Sequence, residues 1–142
     1  MKVKDLMTRN VEIARAEESI QSVAQRMARG DFGFMPVCEG KTVIGAITDR
    51  DLTIRALAGG MPPSTPVGEL MTRELTVLHD EDDLDEALDK MGDEQLRRLP
   101  VLNSAKELVG VVSIGDLASK VKDRYAGEAL EEISKPGPFK LS

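Results

Sequence analysis

The two halves of this chain repeat each other, and this repeat constrains the fold more than any other feature. The segment Val3–Arg9 (VKDLMTR) returns 64 positions later as Val67–Arg73 (VGELMTR). After a one-residue insertion, Asp51-Leu52 returns as Asp116-Leu117 at an offset of 65. Two copies of about sixty residues are too few and too long for a solenoid, which needs three or more short units. The repeat therefore predicts a pseudo-two-fold pair with one copy buried against the other.

The chain is predicted to divide into repeat 1 at residues 1–58, a linker at 59–66, repeat 2 at 67–125, and a C-terminal helix and tail at 126–142. The linker reads GGMPPSTP, and glycine and proline continue neither a helix nor a central strand. The apolar residues of the tail are expected either to dock on a partner subunit or to fray with the chain end.

Both copies have the same predicted order of elements, βαββα after a short helical lead-in that ends near Met7 or Met71. Apolar residues at i, i+3, i+4 and i+7 predict the first long helix of each copy, from Ile20 to Met27 and from Leu84 to Met91. Ser19 and the pair Asp83 and Glu86 have the spacing of helix caps. The predicted strands are Met35–Cys38, Val43–Thr48, Leu99–Asn103 and Leu108–Ser113, with final helices that begin at Asp49 and Ile114. This order predicts an α+β fold in which helices cover one face of a small sheet.

Composition and charge exclude several functional classes. The net charge of −6 is local, because Asp80–Gln95 holds nine acids and one lysine (−8) and leaves +2 for the rest of the chain. Without a basic stripe, and with three Phe and one Tyr, nucleic acid is not the expected partner. No apolar stretch is long enough for a membrane span, the N-terminus has no signal-peptide core, and one cysteine forms no internal disulfide. A cytoplasmic location is therefore expected.

Two short motifs, Thr48-x-x-Asp51 and Ser113-x-x-Asp116, lie where a predicted strand ends and a helix begins. The hydroxyl and the carboxylate at this spacing are typical of a helix cap that complements the helix dipole. The same groups suit a nucleotide, since a carboxylate accepts hydrogen bonds from ribose hydroxyls and a helix start holds a phosphate. Both interpretations stay open, because one residue can cap a helix and bind a ligand.

With the repeat and these motifs together, the chain resembles a tandem pair of CBS domains, a Bateman module. The resemblance rests on an ordered set of three segments that occurs in both copies at matching spacing, between Val3 and about Lys122. The set reads DLMT, MPV and VIGAITDRDL in copy one, and ELMT, LPV and LVGVVSIGDL in copy two. The stretch ITDRDLTIRALAGG and the short linker behind it resemble small stand-alone CBS-pair proteins of the hypoxic-response type. The resemblance implies two pseudo-symmetric repeats that pack through their small sheets.

The resemblance also implies two ligand clefts, each joining the motif of one copy to the first strands of the other. One cleft would combine Thr48, Arg50 and Asp51 with Arg97 and Arg98, where related modules carry basic residues that meet phosphates. The second would combine Ser113, Ile114 and Asp116 with Gly33, Phe34 and Met35, and would lack phosphate cations. The arginine pair is alternatively a solvated strand edge or a partner of the acidic helix.

The other reactive residues favour structural roles. The carboxylates of Asp80–Glu94 are expected on the solvated face of an amphipathic helix rather than around a metal. His79 has no second histidine or cysteine near it in the sequence, and Cys38 is expected as a buried core thiol. With no cofactor fingerprint and no combination of nucleophile and base, an enzyme is not expected.

The predicted function is a regulatory module that binds an adenine nucleotide, with AMP, ADP or ATP ahead of S-adenosylmethionine, NADH or a cyclic dinucleotide, and that requires no cofactor. A partner protein that it regulates is implied but not identified. The alternative is a structural dimerisation or interaction module with vestigial clefts. A homodimer is expected through two exposed apolar stripes, Ile54, Leu57 and Ala58 in copy one and Leu117 and Val121 in copy two.

Overall fold

The computed structural model describes residues 1–94 and 97–120, in which short helices and small β-sheets alternate as an α+β fold requires. The chain forms two compact units. One unit comprises Val11–Leu75, and the other joins Met1–Asn10 to the part of the chain that begins at Thr76. The predicted tail at 126–142 lies outside the described residues.

The first unit contains α1 (Ile20–Gly30), β1 (Phe34–Glu39), β2 (Thr42–Thr48) and α2 (Asp49–Asp51), which continues as a π-helical segment at Leu52–Leu57. The second contains β3 (Leu78–His79), α3 (Leu84–Glu94), β4 (Arg98–Leu102), β5 (Leu108–Ser113) and α4 (Ile114–Lys120). The four predicted hairpin strands and the predicted starts of the final helices are confirmed within one or two residues. Single-turn 3₁₀ helices at Val3–Asp5 and Val67–Glu69 form the predicted helical lead-ins.

The two units have the same strand pairing, which is how the sequence repeat appears in three dimensions. β1 and β2 are antiparallel, as are β4 and β5, and each hairpin has an irregularity after the central valine of its first strand. Leu78 of β3 pairs in parallel with Val101, and Ala14 pairs in the same way with Val37, 64 positions earlier in both cases.

The predicted cap of α1 is confirmed, and one of the two hydrogen bonds of the capping box predicted for α3 is present. The Ser19 hydroxyl oxygen accepts a hydrogen bond from the Ser22 N–H at 3.1 Å, which satisfies a donor that the first turn of α1 leaves without a helical partner. Ahead of α3, the Asp83 N–H donates to the Glu86 carboxylate at 3.4 Å. These local hydrogen bonds fix where both helices begin.

The lead-in of the first repeat lies in the unit of the second repeat. The Val3 N–H donates to the Asp82 carbonyl at 2.9 Å, and Thr8 and Val111 exchange two backbone hydrogen bonds of 2.9 and 3.0 Å. Val3 is fully buried there. Residues 1–10 therefore complete the β4–β5 hairpin rather than the hairpin that follows them in sequence.

The lead-in of the second repeat occupies the equivalent place in the unit 11–75. The Val67 N–H donates to the Glu18 carbonyl at 2.8 Å, and Thr72 and Ala46 exchange two backbone hydrogen bonds of 2.9 Å. The segment 59–66, predicted as a linker, also lies inside this unit, where the Thr65 carbonyl accepts from the Ile20 N–H at 2.9 Å. The compact units thus follow a different division from the sequence repeats, whose boundaries stay a prediction.

Two glycines permit the close approach of the lead-ins. A Cβ atom on Gly45 would lie 2.7 Å from the Met71 sulfur and 2.8 Å from the Thr72 carbonyl oxygen. Gly110 stands in the same relation to the first lead-in, with the Met7 sulfur 2.8 Å from the position of a Cβ. Met7 and Met71 are buried, as are Met27 and Met91 of the two long helices, so all four methionines pack in the cores of the units.

The apolar stripes predicted for dimerisation differ in exposure. Ile54 and Leu57 are 54% and 76% exposed, as expected for an unpartnered face. The prediction for Leu117 was wrong, because this residue is fully buried in the core of its own unit. Ala58 is exposed, whereas Val121 lies outside the described residues. Over the described part of the chain, no helix has the length and apolarity that a membrane crossing requires.

Candidate functional site

The first motif forms a reciprocal cap at the start of α2. The Asp51 N–H donates to the Thr48 hydroxyl oxygen at 3.1 Å, and the Thr48 N–H donates to Asp51 Oδ2 at 3.0 Å. The expectation that Thr48 and Asp51 cap the helix is therefore confirmed. The cap leaves the Thr48 hydroxyl proton and Asp51 Oδ1 without a hydrogen-bond partner among the described residues, so one donor and one acceptor are available to a ligand.

The second motif has the same geometry at the start of α4. The Asp116 N–H donates to the Ser113 hydroxyl oxygen at 3.0 Å, and the Ser113 N–H donates to Asp116 Oδ2 at 2.9 Å. Both side chains are half-buried, as are their counterparts in the first motif. The repeat therefore presents the same hydroxyl and carboxylate twice, in orientations fixed by backbone hydrogen bonds.

In the first unit the strand register brings Phe34 beside the motif. Phe34 is the direct antiparallel partner of Thr48, and residues opposed in this way project to the same face of the hairpin. The Asp49 N–H donates to the Gly33 carbonyl at 3.0 Å, and the Asp49 carboxylate lies 2.6–2.9 Å from the place where a Gly33 Cβ would be. A side chain at position 33 would therefore displace this carboxylate.

In the second unit the equivalent positions carry two arginines. Arg98 is the direct partner of Ser113, and the Ile114 N–H donates to the Arg97 carbonyl at 2.9 Å. Both arginines are exposed, and neither has an ion-pair partner within residues 1–94 and 97–120. The alternative in which they pair with the acidic helix finds no support in that part of the chain.

The hairpin register thus groups the site residues within each repeat. Gly33 and Phe34 adjoin Thr48, and Arg98 adjoins Ser113. The family resemblance implies a different combination, in which the motif of one copy joins the first strands of the other. Each of those predicted sets has members in both compact units. The predicted combination across copies stays a prediction, whereas the grouping within each hairpin follows from backbone pairing.

Two further predicted site residues differ in what their side chains offer. Arg50 is exposed between the two aspartates of its motif. Met35 is fully buried in the core of its unit, so its side chain packs against other core residues. Asp49 was not predicted as a site residue, because an acid in the first turn of a helix is explained by the helix dipole alone. The sequence feature that could have identified Asp49 is Gly33, 16 positions before it. Only the hairpin register shows that these two residues are neighbours.

The other reactive side chains have structural surroundings. Cys38 is buried as predicted, and burial raises the pKa of its thiol. His79 is exposed on β3. Within the described residues, no three His, Cys, Asp or Glu side chains are grouped so that they could hold a metal ion.

Comparison with known proteins connects this geometry to a family. The family model of the CBS domain matches residues 3–57 and 67–123. The CBS domain-containing protein YhcV of Bacillus subtilis is 38% identical over 133 residues, which cover 93% of this chain and 94% of that protein. Hypoxic response protein 1 of Mycobacterium tuberculosis is 31% identical over 135 residues, which cover 94% of each chain.

Solved structures agree with the sequence relatives. A crystal structure of Hypoxic Response Protein I with two coordinated zinc ions matches with a TM-score of 0.77 and 31% identity, over 85% of this chain and 99% of that one. The CBS domain pair of protein MJ0100, in complex with 5′-methylthioadenosine and S-adenosyl-L-methionine, matches with a TM-score of 0.74 and 25% identity, over 84% and 98%. The repeat, the strand pairing and these matches agree, and the chain belongs to the CBS domain family, of which it contains two tandem copies.

Proposed function

We propose that this chain is a non-enzymatic regulatory module that binds adenine nucleotides of the AMP, ADP and ATP class at its two motif ends, which are the caps formed by Thr48 with Asp51 and by Ser113 with Asp116. The observation that carries the proposal is the reciprocal cap, which fixes a hydroxyl and a carboxylate at the same place in both repeats. Further support comes from the adenosyl compounds bound by the CBS pair of protein MJ0100.

Each group of the motif has a defined role in this proposal. Asp51 Oδ1 accepts a hydrogen bond from a ribose hydroxyl, while the Thr48 hydroxyl donates to a phosphate oxygen. Hydrogen bonds to charged groups contribute about 1.5–3 kcal/mol each, so two or three of them account for micromolar binding when combined with burial of the base. Regulation then follows from a difference in ligand affinity between two conformations, and its size is limited to that difference.

A thermal-shift panel tests the proposal on the purified full-length chain. AMP, ADP and ATP are expected to raise the melting temperature in proportion to the logarithm of their concentration. A ligand at a hundred times its Kd stabilises the folded state by about 2.7 kcal/mol. S-adenosylmethionine, NADH and a cyclic dinucleotide complete the panel, and GMP is the control for phosphate binding without adenine. Absence of a shift with every adenosine-containing compound would refute the proposed function.

A second candidate function, dimerisation, is favoured by the two exposed apolar side chains on the segment that follows α2. Ile54 and Leu57 lie three positions apart on this segment and are 54% and 76% exposed, so a dimer interface here would remove both side chains from water. We expect a homodimer by light scattering at tens of micromolar, and we expect Ile54→Asp combined with Leu57→Asp to give the 15.5 kDa monomer. Because both side chains are exposed, this variant keeps its melting behaviour as a folded protein. A wild-type chain that elutes as a monomer would exclude this candidate.

The remaining sequence predictions belong to the proposal. A cytoplasmic location, the absence of a required cofactor and the unidentified regulated protein stay predictions. The proposed lack of catalytic activity is supported by the chemistry of the first motif, where hydroxyl and carboxylate bond to backbone N–H groups. A hydroxyl nucleophile would need a base that takes its proton, and the Asp51 carboxylate accepts from the Thr48 N–H rather than from the Thr48 hydroxyl.

A further inference from the structure

The first lead-in (residues 1–10) and the second lead-in (residues 67–73) dock in their units through the same backbone hydrogen bonds. The Val3 N–H donates to the Asp82 carbonyl at 2.9 Å. At the equivalent place, the Val67 N–H donates to the Glu18 carbonyl at 2.8 Å. The next residue of each lead-in donates in the same way, Lys4 to the Asp80 carbonyl at 3.0 Å and Gly68 to the Ala16 carbonyl at 2.9 Å. Backbone hydrogen bonding therefore does not distinguish the two lead-ins.

The side chains of the first lead-in add ion pairs to these backbone contacts. Lys4 Nζ lies 2.8 Å from Glu81 Oε1. Lys2 Nζ lies 3.7 Å from Glu81 Oε2 and 3.8 Å from Asp83 Oδ1, and it donates to the Glu81 carbonyl at 3.1 Å. The pKa of Lys4 is raised and the pKa of Glu81 is lowered, in both cases chiefly by the hydrogen bond between them. These four residues form a charge network between the first lead-in and the segment on which it docks.

The second lead-in has no such network. Pro66 and Gly68 stand where the first lead-in has its two lysines. Glu17, which corresponds to Glu81 in the repeat, is exposed. Within residues 1–94 and 97–120, no ion pair joins Glu17 or the second lead-in to the rest of the first unit. In that part of the chain, backbone hydrogen bonds and apolar packing hold the second lead-in in place.

We infer that the first lead-in is a strap held partly by charge, whose attachment weakens as ionic strength rises, whereas the attachment of the second lead-in does not. Exposed ion pairs contribute little one by one, but several charges in a network contribute more. The side chains of Lys2 and Lys4 are 43% and 42% exposed, so dissolved ions reach the network. A rise from about 0.1 M to about 1 M salt shortens the Debye length from about 10 Å to about 3 Å, which is less than the two Lys2 separations.

The strap contacts the strand that carries the second motif. Thr8 and Val111 exchange two backbone hydrogen bonds, and Val111 lies two residues before Ser113 on β5. The first lead-in also places Val3 and Leu6 in the core of the second unit. Release of the strap therefore loosens the second unit at the strand that leads into its motif, and leaves the contacts within the first unit unchanged.

Amide hydrogen exchange, measured by NMR on the full chain at about 0.1 M and about 1 M sodium chloride, tests this inference. Each docked N–H of the first lead-in has a counterpart in the second, and the pairs compared are Val3 with Val67, Lys4 with Gly68, and Thr8 with Thr72. We expect the higher salt concentration to lower the protection of the first-lead-in amides about three- to tenfold relative to their counterparts. Because both lead-ins are measured in one sample, general effects of salt on exchange cancel in the ratio.

Two substitutions at equivalent places test the residues held responsible. Glu81→Gln removes the carboxylate that both lysines share, and Glu17→Gln removes the corresponding charge from the first unit. Glu81→Gln is expected to lower the protection of the first-lead-in amides about three- to tenfold at low salt, and to remove most of their dependence on salt. Glu17→Gln is the matched control and is expected to change neither lead-in. Both side chains are exposed, so both variants keep the fold.

Equal dependence on salt in the two lead-ins would overturn the inference. A Glu81→Gln protein whose first lead-in still responds to salt like the unmodified chain would also overturn it, as would an equally large effect of Glu17→Gln. A response confined to the first lead-in, lost in Glu81→Gln and kept in Glu17→Gln, establishes the strap. No ligand takes part in these measurements, so their result is independent of the proposed function.

Discussion

Asp51→Ala is expected to abolish ligand binding at the first motif end and to lower the free energy of unfolding by only about 0.5–2 kcal/mol, the cost of a lost helix cap. The large effect is on binding, because the carboxylate supplies the acceptor for the ribose and also orients the Thr48 N–H. Calorimetry with AMP measures the first quantity, and denaturant unfolding measures the second.

Ser19→Ala is the matched control for this prediction. Ser19 caps α1 in the same compact unit through a hydrogen bond of the same length as the one that Thr48 accepts, 3.1 Å. Its replacement is expected to destabilise the unit by a similar amount and to leave ligand affinity unchanged. If Asp51→Ala behaves like Ser19→Ala in both measurements, Asp51 acts as a cap alone.

Gly45→Ala is expected to destabilise the unit 11–75 by about 1–3 kcal/mol, the usual cost of overpacking a filled core. The new Cβ would lie 2.7 Å from the Met71 sulfur, which can shift, and 2.8 Å from the Thr72 carbonyl oxygen, which cannot shift without breaking its 2.9 Å hydrogen bond to Ala46. The midpoint of denaturant unfolding reports the change.

Two other glycines of the chain provide a control and an independent repeat of the Gly45→Ala prediction. Gly115→Ala places its Cβ 3.5 Å from the nearest atom, the Ser113 hydroxyl oxygen, and should leave stability unchanged or raise it by up to about 1 kcal/mol through helix propensity. Gly110→Ala repeats the test in the other unit, where the Met7 sulfur and the Thr8 carbonyl oxygen are each 2.8 Å away. An unchanged midpoint for Gly45→Ala would mean that the lead-in does not approach this strand closely.

The elements were predictable from the sequence because their signals are local. Ser19 lies three residues before the N–H that it caps, and the apolar spacing from Ile20 to Met27 identifies the buried face of α1 within a single helix. Because the chain contains two copies, each element could be predicted from two related segments. The Leu108–Ser113 strand was predicted with its observed bounds for this reason.

The arrangement of the lead-ins was not predictable in the same way. Nothing near Thr72 in the sequence indicates that it pairs with Ala46, since both strands present ordinary backbone N–H and C=O groups. The residue directly opposite each motif hydroxyl was not predicted, for a related reason. Arg98 and Ser113 lie 15 residues apart, and only the hairpin register makes them direct neighbours. The π-helical segment Leu52–Leu57 had no sequence signal either, because its apolar residues fit an α-helix equally well.

The exchange of lead-ins has a consequence for how the nascent chain acquires its structure on the ribosome. Domains ordinarily fold in the order in which they are synthesised, at about 5–20 residues per second. Here the contiguous segment Val11–Leu75 has all of its parts once residue 75 has emerged. Residues 1–10 are synthesised before this segment, yet their hydrogen-bond partners Asp82 and Val111 are synthesised after it. Residues 1–10 therefore fold later than the segment that follows them, and at these rates they wait about 5–20 seconds for Val111.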